Sequence, residues 1–172
     1  RVRLFEEAAP KAAAFVRGVL REAPSCAGCN FYRAEPVPPH WGSKEWPDSW
    51  NGGRWGPPYA LLQGSFLPSS VDGGRDGPLP PKPAADQGGK ARPIIRRGML
   101  AWAGGGGGSD AFIALAEHPE WGHGHTVWGE VLAEDMAVID ALMRRPIKTQ
   151  DWGTIQASVF EKPAAFSLRP LP

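Results

Sequence analysis

Asn30-Phe31-Tyr32-Arg33 and, well downstream, Leu61-Leu62-Gln63-Gly64 are the stretches on which the reading of this chain turns. Phe31 to Ala34 has strand character, and alternation places Phe31 and Arg33 on one face with Tyr32 on the other. An arginine sharing a face with an aromatic residue suits the wall of a groove. Tyr59 to Phe66, which contains the second stretch, returns to strand character after a long interval.

Working outward, Val2 to Phe5 forms a short strand-like start, and Glu6 to Glu22 follows as a helix. Ala13, Phe15, Val16, Val19 and Leu20 make its apolar stripe, Pro10 fits a first turn and Pro24 stops it. Ile94 to Trp102 reads as strand, turn and strand. Ala111 to Leu115, Thr126 to Leu132 and Ile155 to Phe160 are further strand candidates, and Met136 to Met143 is a short helix. Two intervals break this rhythm. From 35 to 58 the chain repeats Pro, Gly and Trp, with Trp41, Trp46, Trp50 and Trp55 able to anchor a long loop. From 67 to 93 it is rich in Gly and Pro and includes G-P-L-P-P-K-P at 77 to 83. Many short strands with two helices predict a mainly β fold, a closed or nearly closed sheet capped by helices, because closure removes exposed edges.

The chain of 172 residues suits a single domain. Nineteen Lys and Arg against eighteen Asp and Glu give a formal net charge of +1, so no nucleic-acid partner is expected. No run of about eighteen apolar residues is present, so the segment contains no membrane span, and any anchor would lie outside it. A start at Arg1 suggests a processed product or part of a longer protein. Cys26 and Cys29 form C-A-G-C between a predicted helix and a predicted strand. A redox thiolate favours a helix N-terminus, so a structural disulfide is the leading reading, with free thiols and then metal binding behind it. A disulfide would place the protein in an oxidising lumen such as the secretory pathway.

The reagents of covalent catalysis are missing. Gly104 to Gly108 lacks the Gly-Lys-Ser/Thr ending of a phosphate loop and better suits close backbone approach to a ligand. There is no G-x-S-x-G elbow and no H-E-x-x-H pair, and His123 with His125 lacks an identified third metal ligand. Binding and rotation therefore fit the chain better than bond cleavage.

Taken in order, N-F-Y-R (30 to 33), L-L-Q-G (61 to 64), R-G-M-L-A-W-A (97 to 103), S-D-A-F-I (109 to 113), W-G-H-G-H-T-V-W-G (121 to 129) and D-M-A-V-I-D (135 to 140) resemble the cyclophilin family of peptidyl-prolyl cis-trans isomerases. L-F-E-E-A-A-P-K-A-A-A-F (4 to 15) looks like that family's first-helix region, and 35 to 58 and 67 to 93 look like enlarged loops. The resemblance implies a closed eight-stranded antiparallel β-barrel capped by two helices, with the first family strand missing from this segment. It implies isomerisation of Xaa-Pro bonds in a client peptide or protein, without cofactor or metal. Arg33 matches the catalytic arginine; Leu61, Gln63, Trp102, Gly104, Phe112, Trp121 and His125 fall at substrate-binding positions.

Several of these positions depart from the family pattern. Leu61 and Trp102 each replace a methionine, Gly104 an asparagine, Asp110 a glutamine, Ala111 an aromatic residue and Gly122 a leucine. These changes, with the tryptophan-rich loop as a surface for a partner protein, leave a second reading: a cyclophilin-like binding or assembly module with a weak or inactive site.

Overall fold

The structure, a computed structural model, describes residues 1–22, 26–43, 54–66, 86, 93–105 and 110–171. The sequence readings for Pro24, Trp46, Trp50, the proline-rich tract and Gly106 to Ser109 lie outside the described residues.

The strands are β1 (Val2–Leu4), β2 (Asn30–Glu35), β3 (Leu61–Ser65), β4 (Met99–Trp102), β5 (Asp110–Ala114), β6 (Val127–Val131), β7 (Ile147–Asp151) and β8 (Gln156–Ala165). Among the described residues there are two α-helices, α1 (Pro10–Glu22) and α2 (Met136–Leu142), with short 3-10 turns between elements. The eight strands form one sheet in the order β1-β6-β4-β5-β3-β2-β8-β7, and every neighbouring pair is antiparallel.

The expectation of a closed barrel is overturned. The hydrogen-bonded order runs from β1 to β7 and stops, so the sheet has two edges. Closure requires the outermost strands to pair. Here β1 offers three residues bonded to β6, and β7 offers five exposed residues bonded to β8. The sequence Ile147-Lys148-Thr149-Gln150-Asp151 suits such an edge, since a charged, largely polar strand resists further pairing.

Strand alternation sorts the apolar residues into two clusters. Leu62, Leu100, Trp102, Ala111 and Ile113 face the helices, where they pack with Ala12, Phe15, Val16 and Val19 of α1 and Ile139 of α2. Their neighbours Leu61, Ala101, Phe112, Ala114 and Val127 form a second cluster on the opposite face. α1 begins at Pro10, later than the expected Glu6, because residues 6–8 form a turn. Proline tolerates a first helical position, where its missing N–H would lack a partner anyway. The Asp86 carboxylate caps the same end, accepting hydrogen bonds from the Lys11 and Ala12 backbone N–H groups at 2.7 Å each. The expected closing strand extends to Ala165; Pro163 is tolerated in a register break between Ala164 and Val159.

Cys26 and Cys29 form a disulfide, with Cα atoms 5.3 Å apart, and both are buried between α1 and β2. This bond is consistent with an oxidising environment.

β2 contains a bulge. Phe31 opposes Gly64 and Arg33 opposes Gln63, so Tyr32 is the extra residue of the ladder. The bulge depends on glycine at 64: a Cβ there would lie 2.2 Å from the Asn30 carbonyl oxygen and 2.9 Å from the Phe31 Cα. Gly64→Ala is therefore expected to push β2 away from β3. Its cost should exceed the roughly 1–3 kcal/mol usual for overpacking, because the clash is with backbone. A lower urea midpoint at unchanged slope would show it; an unchanged midpoint would show that the strands can separate freely.

Candidate functional site

On the face opposite the helices, the pairings set Arg33, Gln63, Phe112 and Ala101 side by side across β2, β3, β5 and β4. Directly opposed residues share a face, so this row runs along the floor of a shallow depression. Its volume is about 280 Å³, and it is lined by Arg33, Tyr59, Leu61, Gln63, Ala103, Gly104, Phe112, Trp121, His125 and Ile155.

One end is apolar. Phe112, only 2% exposed, meets the rings of Trp121 and His125 edge-on at 5.4 Å and 5.5 Å. Trp121 in turn stacks on His118, with centroids 3.7 Å apart and planes within 7°. His118 is fully buried, its Nδ1 lying 2.7 Å from a Glu120 carboxylate oxygen and its Nε2 3.3 Å from the Ala60 carbonyl. Trp41 packs edge-on against His118 at 5.0 Å and against Trp55 at 5.3 Å, and its Nε1 donates to the Glu117 carbonyl. These two described tryptophans of the 35 to 58 interval thus pack behind the rim.

The other end is polar. Arg33 Nε donates to Glu35 Oε1 at 2.7 Å, and its Nη1 donates to Gln63 Oε1 at 3.0 Å. The other Glu35 oxygen accepts the Tyr59 backbone N–H at 2.6 Å, so both oxygens of this fully buried carboxylate are engaged. Gln63 Nε2 donates to the Tyr32 hydroxyl, which donates to Asp110 Oδ2, each at 2.7 Å. Arg33 Cζ also lies 5.6 Å from the Tyr59 ring centroid and 5.0 Å from that of Trp152. The bulge explains why Tyr32 joins the network: simple alternation would turn its hydroxyl away from Gln63, whereas the extra residue brings Tyr32 and Arg33 to the same glutamine.

Seven of the predicted residues, Arg33, Leu61, Gln63, Gly104, Phe112, Trp121 and His125, line this one depression. Trp102 does not. It is 0% exposed and points into the helix-facing core, where its ring lies 5.0 Å from Trp128 and 5.8 Å from Phe15. Alternation requires this, because its neighbour Ala101 stands beside Phe112 on the groove face. Gly104 has φ 68°, a left-handed conformation that a side chain would strain. The sequence reading did not assign Tyr32, Glu35, Tyr59, Trp152 or Ile155 to the site. Glu35, two residues from Arg33 on one strand, was detectable by spacing; Trp152 depends on the β7–β8 turn. Among the described residues, no group of three or more His, Cys, Asp or Glu is placed to hold a metal ion.

No protein-family model matches the chain, and no curated protein matches it. Solved structures do. The architecture is that of the cyclophilin class of folds, with the sheet left open. The crystal structure of a cyclophilin-type peptidyl-prolyl cis-trans isomerase from Cryptosporidium parvum, in the presence of the dipeptide Ala-Pro, is similar with a TM-score of 0.58 and 15% sequence identity, over 96% of this chain and 91% of that one. A second crystal structure of that isomerase gives the same score and identity, over 96% of this chain and 90% of that one. At this identity the likeness establishes the fold.

Burial, followed by the hydrogen bond to Asp110, pushes the Tyr32 phenol above its ordinary value, and burial also raises that of Tyr59. The folded state therefore holds the Tyr32 proton more tightly than the unfolded chain does. Its contribution to stability is complete below the ordinary phenol value and is lost as pH rises through the raised one. An absorbance titration of the two tyrosines should show both ionising late, and Asp110→Asn should bring one midpoint down. Ionisation of both at the unfolded value would contradict the network.

Proposed function

We propose that this chain is a peptidyl-prolyl cis-trans isomerase acting on Xaa-Pro bonds of a client peptide or protein. The observation that carries the reading is the presence of Arg33 and the Phe112–Trp121–His125 cluster in one open depression. A cyclophilin-like fold supports it, as does the crystal structure of the similar Cryptosporidium parvum isomerase in the presence of the dipeptide Ala-Pro.

The peptide C–N bond resists rotation through partial double-bond character, with a barrier of about 18–20 kcal/mol. Proline brings cis and trans close in energy but leaves their exchange slow. In the proposed mechanism the apolar end, Phe112 with Leu61, Trp121 and His125, holds the proline ring while the attached acyl group turns. As the amide leaves planarity, its nitrogen regains a lone pair. An Arg33 N–H directed at that nitrogen stabilises the twisted state and weakens resonance. Only such preferential stabilisation accelerates the step, at about tenfold per 1.4 kcal/mol. Among the described residues, Glu35 and Gln63 engage one N–H on Nε and one on Nη1, leaving three of arginine's five N–H donors. In this mechanism Gln63 and the Gly104 backbone hold the rotating segment by hydrogen bonds.

The buried Glu35 also supports a second reading. Its negative charge beside Arg33 reduces the field the guanidinium can direct at a substrate, which favours a binding module with weak or no turnover. The disulfide supports placement in an oxidising compartment, of which the secretory pathway is one.

Exchange NMR on a proline peptide measures turnover, and titration of the same peptide measures binding. Arg33→Ala is expected to lower kcat/KM by roughly 10²-fold, as for other lost transition-state donors, while binding falls far less. Because this variant leaves Glu35 buried without its cation, Arg33→Ala with Glu35→Gln serves as the folded control. Wild-type turnover in that double variant would remove Arg33 from the mechanism, and peptide binding by the parent without acceleration would select the second reading.

A further inference from the structure

The polar end of the depression carries aromatic and aliphatic surface that the proline reading does not use. Arg33 is separated from Phe112 by one intervening strand, β3, or roughly 10 Å across two strand spacings. At the Arg33 end, three bulky side chains gather. Tyr59 leads into β3, while Trp152 and Ile155 bracket the turn between β7 and β8. That turn is well defined: the Trp152 N–H donates to the Ile155 carbonyl at 2.9 Å, and the Gly153 N–H donates to Asp151 Oδ1 at 2.7 Å. Its effect is to place the indole over the guanidinium, 5.0 Å from Cζ, with the Tyr59 ring 5.6 Å from the same atom. Tyr59 and Ile155 line the depression itself.

Trp152 is nevertheless 37% exposed, where Phe112 at the proline end is buried and Trp121 and His125 are partly covered. An indole needed for packing alone would bury its faces. One fixed by a hairpin turn beside an open depression, with ring surface left in water, suits contact with something that arrives. We infer that Trp152, with Tyr59 and Ile155, forms a subsite for an aromatic side chain flanking the client's proline, so that the preferred substrates are Xaa-Pro segments with an aromatic neighbour. This inference rests on the prolyl reading. A proline seated at Phe112 leaves the adjoining chain to cross Arg33, and that chain reaches the Trp152 end next. Stacking there removes apolar surface from water on both partners and covers the guanidinium, which desolvates the rotating amide's neighbourhood.

The experiment compares proline peptides carrying phenylalanine or glycine at each flanking position in turn, by exchange NMR for kcat/KM and by titration for affinity. In the parent protein the phenylalanine peptide is expected to win by roughly three- to tenfold at one flank, the range that aromatic pairing supports. Trp152→Ala should bring that ratio close to one, and Trp152→Phe should restore most of it. Should Trp152→Ala fail to fold, Trp152→Gln, a polar residue suited to an exposed turn, carries the same expectation. A folded variant whose phenylalanine-to-glycine ratio equals the parent's overturns the subsite while leaving the prolyl reading intact. A parent protein that neither binds nor accelerates any of the peptides overturns both.

Discussion

The site depends on a guanidinium held between a buried carboxylate and a neighbouring amide. Glu35 has both oxygens engaged, one by Arg33 and one by the Tyr59 backbone, and it is completely shielded from solvent. Desolvating two charges is expensive, and such a pair is sustained only by good geometry and by satisfying the remaining hydrogen-bonding groups. Removing one partner of a buried pair typically costs about 3–5 kcal/mol, because the survivor is left without compensation. This pair therefore fixes more than a side chain: it ties β2 to the start of β3, two adjacent strands of the groove floor. The same bond that restrains Arg33 also offsets part of its charge. Immobility and field strength are in opposition here, and the balance between them separates an isomerase from a binding module.

Around this pair, each strand has two roles. Leu62, Ile113 and Leu100 fill the space beneath the helices, while Leu61, Phe112 and Ala101 supply the opposite face. The bulge at Tyr32 is an exception with a purpose. It lets Phe31 reach Phe66 and Phe166 in the core while Tyr32 and Arg33 both reach Gln63. Gly64 permits it by presenting no side chain to the displaced backbone.

Much of this was legible in the chain itself. The residues that line the depression, apart from Tyr59, Ala103 and Ile155, were assigned to the site through the cyclophilin resemblance, and both helices were read from the sequence. Trp102 was misplaced because a matching position was read without its strand partner; alternation from Ala101 puts it in the core. The bulge escaped because alternation assumes a regular ladder, and the clash that demands glycine at 64 is visible only once β2 lies beside β3. β7 escaped because an exposed edge strand has no buried face to impose a pattern, and without β7 there was no turn to bring Trp152 to Arg33. Closure was expected because it removes exposed edges and because the cyclophilin resemblance implies it, yet neither makes the first and last strands meet.

The run of ring contacts from Trp55 through Trp41 and His118 to Trp121 has a bearing on how the chain can vary. Segments that lengthen between related folds are commonly treated as ornaments, free to drift because they are remote from the chemistry. Here the ornament is also a buttress: Trp41 props the imidazole against which the rim indole lies flat. Drift at that position would be felt at the rim indole, so the interval is tethered to the shape of the depression at the points where it touches the scaffold.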